Sequence, residues 1–138
     1  MTVGVLIVTH GRVGEVLLNT AVHLLGFCPL QVSTLSVEFD CNLDEAEAEA
    51  RSAARALDSG DGVLVLTDVY GSTPSNVANR VQGLSAMAVV AGLNLPMLIR
   101  VLNYPRLDLE QLAAKAVSGG RDGVLLCTAP PQTQERTG

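Results

Sequence analysis

The stretch "VGVLIVTHGRVGEVLL" (residues 3–18) joins two kinds of periodicity at one histidine. Residues 3–8 are apolar and rich in β-branched side chains, the pattern of a strand covered on both faces in a parallel sheet. From Val13 the apolar residues Val13, Val16, Leu17, Ala21, Leu24 and Leu25 recur at helical spacing, and Gly26 stands where a helix end takes a left-handed residue. Thr9, His10 and Gly11 thus fall between a buried strand and a helix start.

The same alternation continues along the chain. "QVSTLSVEF" (31–39) reads as a strand, and "NLDEAEAEARSAARALDSGDG" (42–62) as a helix with an acidic front, Arg51 and Arg55 towards its end, and Gly60 and Gly62 closing it. "VLVLT" (63–67) is a second buried strand. "GSTPSNVANRVQGL" (71–84) is a turn entering a helix, with Pro74 in the first helical turn and Thr73 as the expected N-cap. "AMAVVAG" (86–92) is a further strand, "LPMLIRVLN" (95–103) and "LDLEQLAAKAVSGG" (107–120) are helices broken near Pro105, and "GVLLCT" (123–128) is a last short strand. This order predicts an α/β fold with a doubly wound, mostly parallel open sheet and helices on both faces. Residues 1–129 form one domain, and the polar, Pro-containing tail at 130–138 is expected to be disordered.

Composition narrows the function. The chain of 138 residues is 48% hydrophobic but only 3% aromatic, so its core is aliphatic. A net charge of −5 and a pI near 4.8 argue against nucleic acid as the main partner, because phosphate backbones demand clustered Lys and Arg. Cys28, Cys41 and Cys127 form an odd, widely spaced set without a CxxC pair, which reads as buried or incidental thiols of a reducing compartment. No basic leader precedes the first apolar run, which is too short to span a bilayer, so a cytoplasmic protein without membrane insertion is expected.

In doubly wound sheets, ligands bind beyond the carboxyl ends of the strands, where strand order reverses. This chain places His10 after its first strand, Asp68 followed by Tyr70, Gly71, Ser72 and Thr73 after the strand at 63–67, and Gly92 and Asn94 after the strand at 86–92. A neutral imidazole is a nucleophile at physiological pH, and a carboxylate bonded to one ring N–H fixes the tautomer and presents the other nitrogen to an electrophile. The turn "GSTPSN" opens a helix whose unpaired N–H groups and partial positive charge of about half a unit suit an anion. A nucleophilic His, an orienting Asp and an anion cradle describe a phosphoryl acceptor.

"VTHGRVGEVLLNTA" (8–21), "VLTDVYGSTPSNVANR" (65–80) and "AGLNLPML" (91–98), in this order and spacing, resemble the enzyme IIA (EIIA) domain of the mannose family of the bacterial phosphoenolpyruvate:sugar phosphotransferase system (PTS). The likeness covers about residues 2–128. It implies that His10 is phosphorylated by the carrier protein HPr and that Asp68 is the paired carboxylate, with phosphate contacts from Gly71, Ser72 and Thr73. It also implies a homodimer in which an antiparallel C-terminal strand, matched here by residues 122–128, is exchanged between subunits. No cofactor or metal is expected. Two positions depart from the family pattern: Thr73 stands where serine is common, and "YGS" (70–72) where relatives have an aromatic-Gly-Gly stretch.

The recipient of the phosphoryl group is expected to be a separate enzyme IIB (EIIB) component, with association to a membrane permease complex, or a regulatory protein that reads the phosphorylation state. Two alternative chemistries use the same residues. "VTHGR" also resembles the strand end of small tetrapyrrole metal chelatases, which would want a second histidine, and His23 is the only other one. Ser72, His10 and Asp68 spell a hydrolase triad, although Ser72 lacks a GxSxG elbow. His23 is expected on a helix with a partly exposed ring, and Arg12 is either surface decoration or a charge at the rim of the site.

Overall fold

A computed structural model describes residues 2–82 and 86–128. The expected tail at 130–138 and the end of the stretch 71–84 lie outside these residues. The chain forms β1 (Gly4–His10), α1 (Val13–Leu25), β2 (Val32–Val37), α2 (Leu43–Leu57), β3 (Val63–Thr67), α3 (Thr73–Val81), β4 (Met87–Ala91), α4 (Leu95–Leu102) and α5 (Leu109–Asp122). Among the described residues the sheet has four strands in the order β2-β1-β3-β4, and all three pairings are parallel.

The two faces of the sheet are sorted by strand alternation. Val5 and Ile7 of β1 and Leu64 and Leu66 of β3 pack with α1, α4 and α5, in a core that includes Ala21, Leu98, Val101, Leu112 and Ala116. Leu6, Val8, Val63 and Val65 face the other way, onto Ala46, Ala50 and Ala54 of α2 and Val77, Ala78 and Val81 of α3. All eight strand residues are fully buried, and each such side chain contributes about 1.5–3 kcal/mol relative to exposure. The alanines of α2 recur every fourth residue, so a face of minimal side chains lets that helix lie close to the sheet. Gly14 does the same for α1: a Cβ there would come within 2.6 Å of Ile7 Cγ2.

Helix ends follow local chemistry. Asn42, Asn94 and Asp108 cap α2, α4 and α5 through their side chains, and Asp108 forms a capping box with Gln111. Gly26, at φ 86°, closes α1 in the left-handed conformation expected from the sequence. Among the described residues no helix is long and apolar enough to cross a membrane.

Two expectations are corrected. Residues 124–128 form no strand within the chain, and Val124, Leu125 and Leu126 are exposed. A strand exists by pairing, and among the described residues this segment pairs with no strand of the sheet. The N-cap of α3 is Ser72, and Thr73 is the first helical residue. Of the two readings left open for the cysteines, the exposure of Cys28 and Cys127 and the half-burial of Cys41, all three free thiols, favour incidental over buried thiols.

Candidate functional site

Strand order creates the site. From β1 the chain moves to one side to form β2, then returns to the other side of β1 to form β3. The carboxyl ends of β1 and β3 are therefore the point where strand order reverses, and a crevice opens between the loops that leave in opposite directions. β1 runs on to His10 itself, which is paired in register with Val37, and Asp68 follows β3 directly.

The two side chains meet. His10 Nδ1 lies 2.8 Å from Asp68 Oδ2, and the backbone N–H of His10 donates to the same oxygen at 3.0 Å. The other oxygen, Asp68 Oδ1, accepts the Val69 backbone N–H at 3.0 Å. Burial pushes the Asp68 carboxyl up, but hydrogen bonds from the His10 side chain and backbone, the charge of the imidazole and the Val69 N–H outweigh it, so its pKa lies below the ordinary aspartate value. Asp68 is thus ionised at neutral pH and acts only as an acceptor, which places the proton of neutral His10 on Nδ1 and a lone pair on Nε2. The imidazole is about one-third exposed (32%) and the carboxylate 12%, so the ring faces solvent while the carboxylate is shielded.

Neighbouring residues hold this pair in place. Thr9 Oγ1 accepts the Gly14 N–H at 2.8 Å and so caps α1 from the strand, which fixes the chain on either side of His10. Gly11 turns at φ 46° with its N–H on Val37 O, tying the loop after β1 to the end of β2. Arg12 pairs with Glu15 at 3.1 Å on the exposed first turn of α1.

The other expected site residues lie on the loop after Asp68. Gly71 turns at φ 81°, and Ser72 is the N-cap of α3 without a capping hydrogen bond from its side chain. The Ser72 hydroxyl donates to Val69 O at 2.6 Å. Among the described residues no hydrogen bond joins His10 to Gly71, Ser72 or Thr73, so a Ser72–His10–Asp68 triad is not assembled. Asn94 is used structurally: it accepts the Met97 N–H and donates to Gly120 O, joining α4 to α5. His23 is exposed in the last turn of α1, and among the described residues no group of three His, Cys, Asp or Glu side chains is arranged to hold a metal. The chelatase alternative gains no support.

One neighbour escaped the sequence reading. The Phe39 ring lies 5.9 Å from the His10 ring, centroid to centroid, with the planes tilted by 36°. Its path from the end of β2 across to β1 depends on a turn that no periodicity marks.

Comparison with known proteins agrees with this architecture. The family model for the PTS system fructose IIA component matches residues 4–117. The chain is 36% identical over 136 residues to the PTS system mannose-specific EIIAB component of Escherichia coli (strain K12), a match covering 95% of the chain and 41% of that relative. The chain therefore spans less than half the length of the curated relatives it matches. Among solved structures, the mannose/sorbose specific IIA subunit of the phosphotransferase system from Enterococcus faecalis superposes with a TM-score of 0.84 at 28% identity, covering 96% of this chain and all of that one. The PTS IIA protein associated with the fucose utilization operon of Streptococcus pneumoniae gives a TM-score of 0.74 at 29% identity, covering 89% of this chain and 91% of that one. With the family model spanning most of the domain, the chain belongs to the mannose/fructose-type IIA family of the sugar phosphotransferase system.

Proposed function

We propose that the chain is a phosphoryl carrier, phosphorylated on His10 by phospho-HPr. The observation that carries this reading is the Asp68 carboxylate holding His10 Nδ1 at 2.8 Å, which leaves Nε2 as the free nucleophile at the strand-reversal point. The Nε2 lone pair attacks phosphorus, an N–P bond forms on His10, and the N–P bond to the donor's histidine breaks with its electron pair returning to that ring. Nδ1 keeps its proton throughout. Positive charge that develops on the imidazole during attack is stabilised by Asp68. Transfer onward reverses these roles with the recipient as nucleophile.

The start of α3 supplies the anion site. Its backbone N–H groups and the hydroxyl of Thr73 are the donors best suited to phosphoryl oxygens, because the Ser72 hydroxyl is engaged with Val69 O and Gly71 shapes the turn that presents them. Residues 1–129 act as the IIA domain of a cytoplasmic protein. The recipient is an EIIB component or a regulatory protein that reads the phosphorylation state. Incubation with phosphoenolpyruvate, enzyme I and HPr tests the reading: it should add one acid-labile phosphoryl group per chain, and the absence of label would reject it.

We further propose a homodimer built by exchange of the C-terminal segment. Val124, Leu125 and Leu126 are 76%, 77% and 88% exposed, an apolar run that its own chain leaves uncovered. β4 is an edge of the four-stranded sheet, and a groove of about 290 Å³ beside it is lined by Val90, Ala91, Met97, Val117 and Val124. A strand from a second copy satisfies the free N–H and C=O groups of β4 and buries its own apolar side chains.

A further inference from the structure

We propose that Phe39 is a positioning residue for phosphoryl transfer, the apolar contact that a docking protein donor covers to align with His10; the inference rests on the phosphoryl-carrier reading. Phe39 is 97% exposed, the most exposed of the large apolar side chains in the described part of the chain. A lone exposed phenylalanine needs no explanation, but this one stands beside the His10 ring, 5.9 Å between centroids. It lies in a turn closed by the Cys41 N–H on Glu38 O at 3.2 Å, and the Gly11 N–H on Val37 O joins the start of that turn to the loop of His10. The backbone that carries Phe39 is thus anchored by hydrogen bonds on both sides.

The sheet order adds a second wall. Because β1 lies between β2 and β3, Phe39 lies on the β2 side of His10, and Val69 and Tyr70, 55% and 82% exposed, follow Asp68 on the β3 side. Exposed apolar side chains on both flanks of a histidine are more surface than a small anion covers. They fit the surface of a macromolecule that brings its phosphoryl group to Nε2 and excludes water as it lands. Exposed Glu38 and Asp40 next to Phe39 complement a donor whose rim is basic.

The test compares phospho-HPr with phosphoramidate, a small donor that needs no docking surface. Phe39→Ala should raise the KM for phospho-HPr by about 10-fold or more with kcat within about 2-fold, as loss of an aromatic anchor does. The rate with phosphoramidate should be unchanged, and Phe39→Tyr should recover most of the lost KM. Phe27→Ala, an exposed aromatic change at the far end of α1, should alter neither rate. Loss of the ring-current shift on the His10 imidazole protons in Phe39→Ala should confirm the contact in solution. An unchanged KM for phospho-HPr, or equal slowing with both donors, would overturn the proposal. Failure of wild-type protein to take label from phospho-HPr would instead count against the carrier reading, with the phosphoramidate and imidazole measurements still reporting on Phe39.

Discussion

Asp68 Oδ2 receives both the side chain and the backbone N–H of His10, at 2.8 and 3.0 Å. One carboxylate oxygen thereby fixes both the ring and the strand end that carries it. A ring that rotated freely would present either nitrogen to an electrophile. The shared acceptor selects Nδ1 for the hydrogen bond and leaves the lone pair on Nε2.

Asp68→Ala should slow phosphoryl transfer by about 10- to 100-fold, the loss expected when one hydrogen bond to a charged group is removed near the transition state. The variant should stay folded, because Asp68 follows β3 at the rim of the sheet and not within either core. Ser72→Ala should slow transfer less, since its hydroxyl is engaged with Val69 O. Rapid-quench transfer rates with circular dichroism on each variant check this, and equal rates for wild type and Asp68→Ala would reduce Asp68 to a turn residue.

The Asp68 pKa is depressed in the folded state. A carboxyl with a lowered folded pKa adds stability that is fully present above the unfolded value, about 3.9, and is lost as pH falls through the folded value. The His10–Asp68 contact should therefore survive down to about pH 4 and fail only below it. Carbonyl-carbon NMR titration should place the Asp68 midpoint below that of ordinary aspartates, and Asp68→Asn should remove this part of the acid sensitivity. A midpoint above 3.9 would show that burial outweighs the hydrogen bonds.

Thr67 is fully buried, and its hydroxyl has no hydrogen-bond partner among the described residues. A buried hydroxyl left unpaired costs about 1–3 kcal/mol, so Thr67→Val, which keeps the shape, should leave stability unchanged or raise it by about 1 kcal/mol. Denaturant unfolding measures this. A loss of more than about 1 kcal/mol would reveal a partner for the hydroxyl.

The exposed apolar run at 124–126 predicts a dimer in solution. Light scattering on the full chain should give twice the monomer mass at micromolar concentration, and a chain ending before Arg121 should be monomeric or aggregate. A stable monomer of the full chain would remove the exchanged strand from the account and leave His10 chemistry intact.

Much of this was legible in the sequence because the physics is local. The buried strands β1 and β3 carry apolar runs at residues 4–8 and 63–66, and the acidic front of α2 and Gly26 after α1 mark helix ends by charge and by φ. The strand-end rule then singled out His10 and Asp68 before any contact was known. Other features are set by tertiary geometry. Ser72 and Thr73 both offer a hydroxyl one residue apart, and Pro74 suits either of the first helical positions, so the sequence does not distinguish a cap at Ser72 from one at Thr73. Residues 123–128 have the composition of a strand, but the pairing that makes a strand is supplied from elsewhere or not at all. Phe39 reaches His10 only through the course of a turn.

The central claim is that Asp68 reserves Nδ1 of His10 and directs the phosphoryl group to Nε2. Phosphorus and nitrogen NMR on the protein after incubation with phosphoenolpyruvate, enzyme I and HPr measures this directly. The account predicts a single Nε2-phosphohistidine, absent from His10→Ala and retained in His23→Ala. Label that persists in His10→Ala, or a phosphoryl group on Nδ1 of His10, would contradict it.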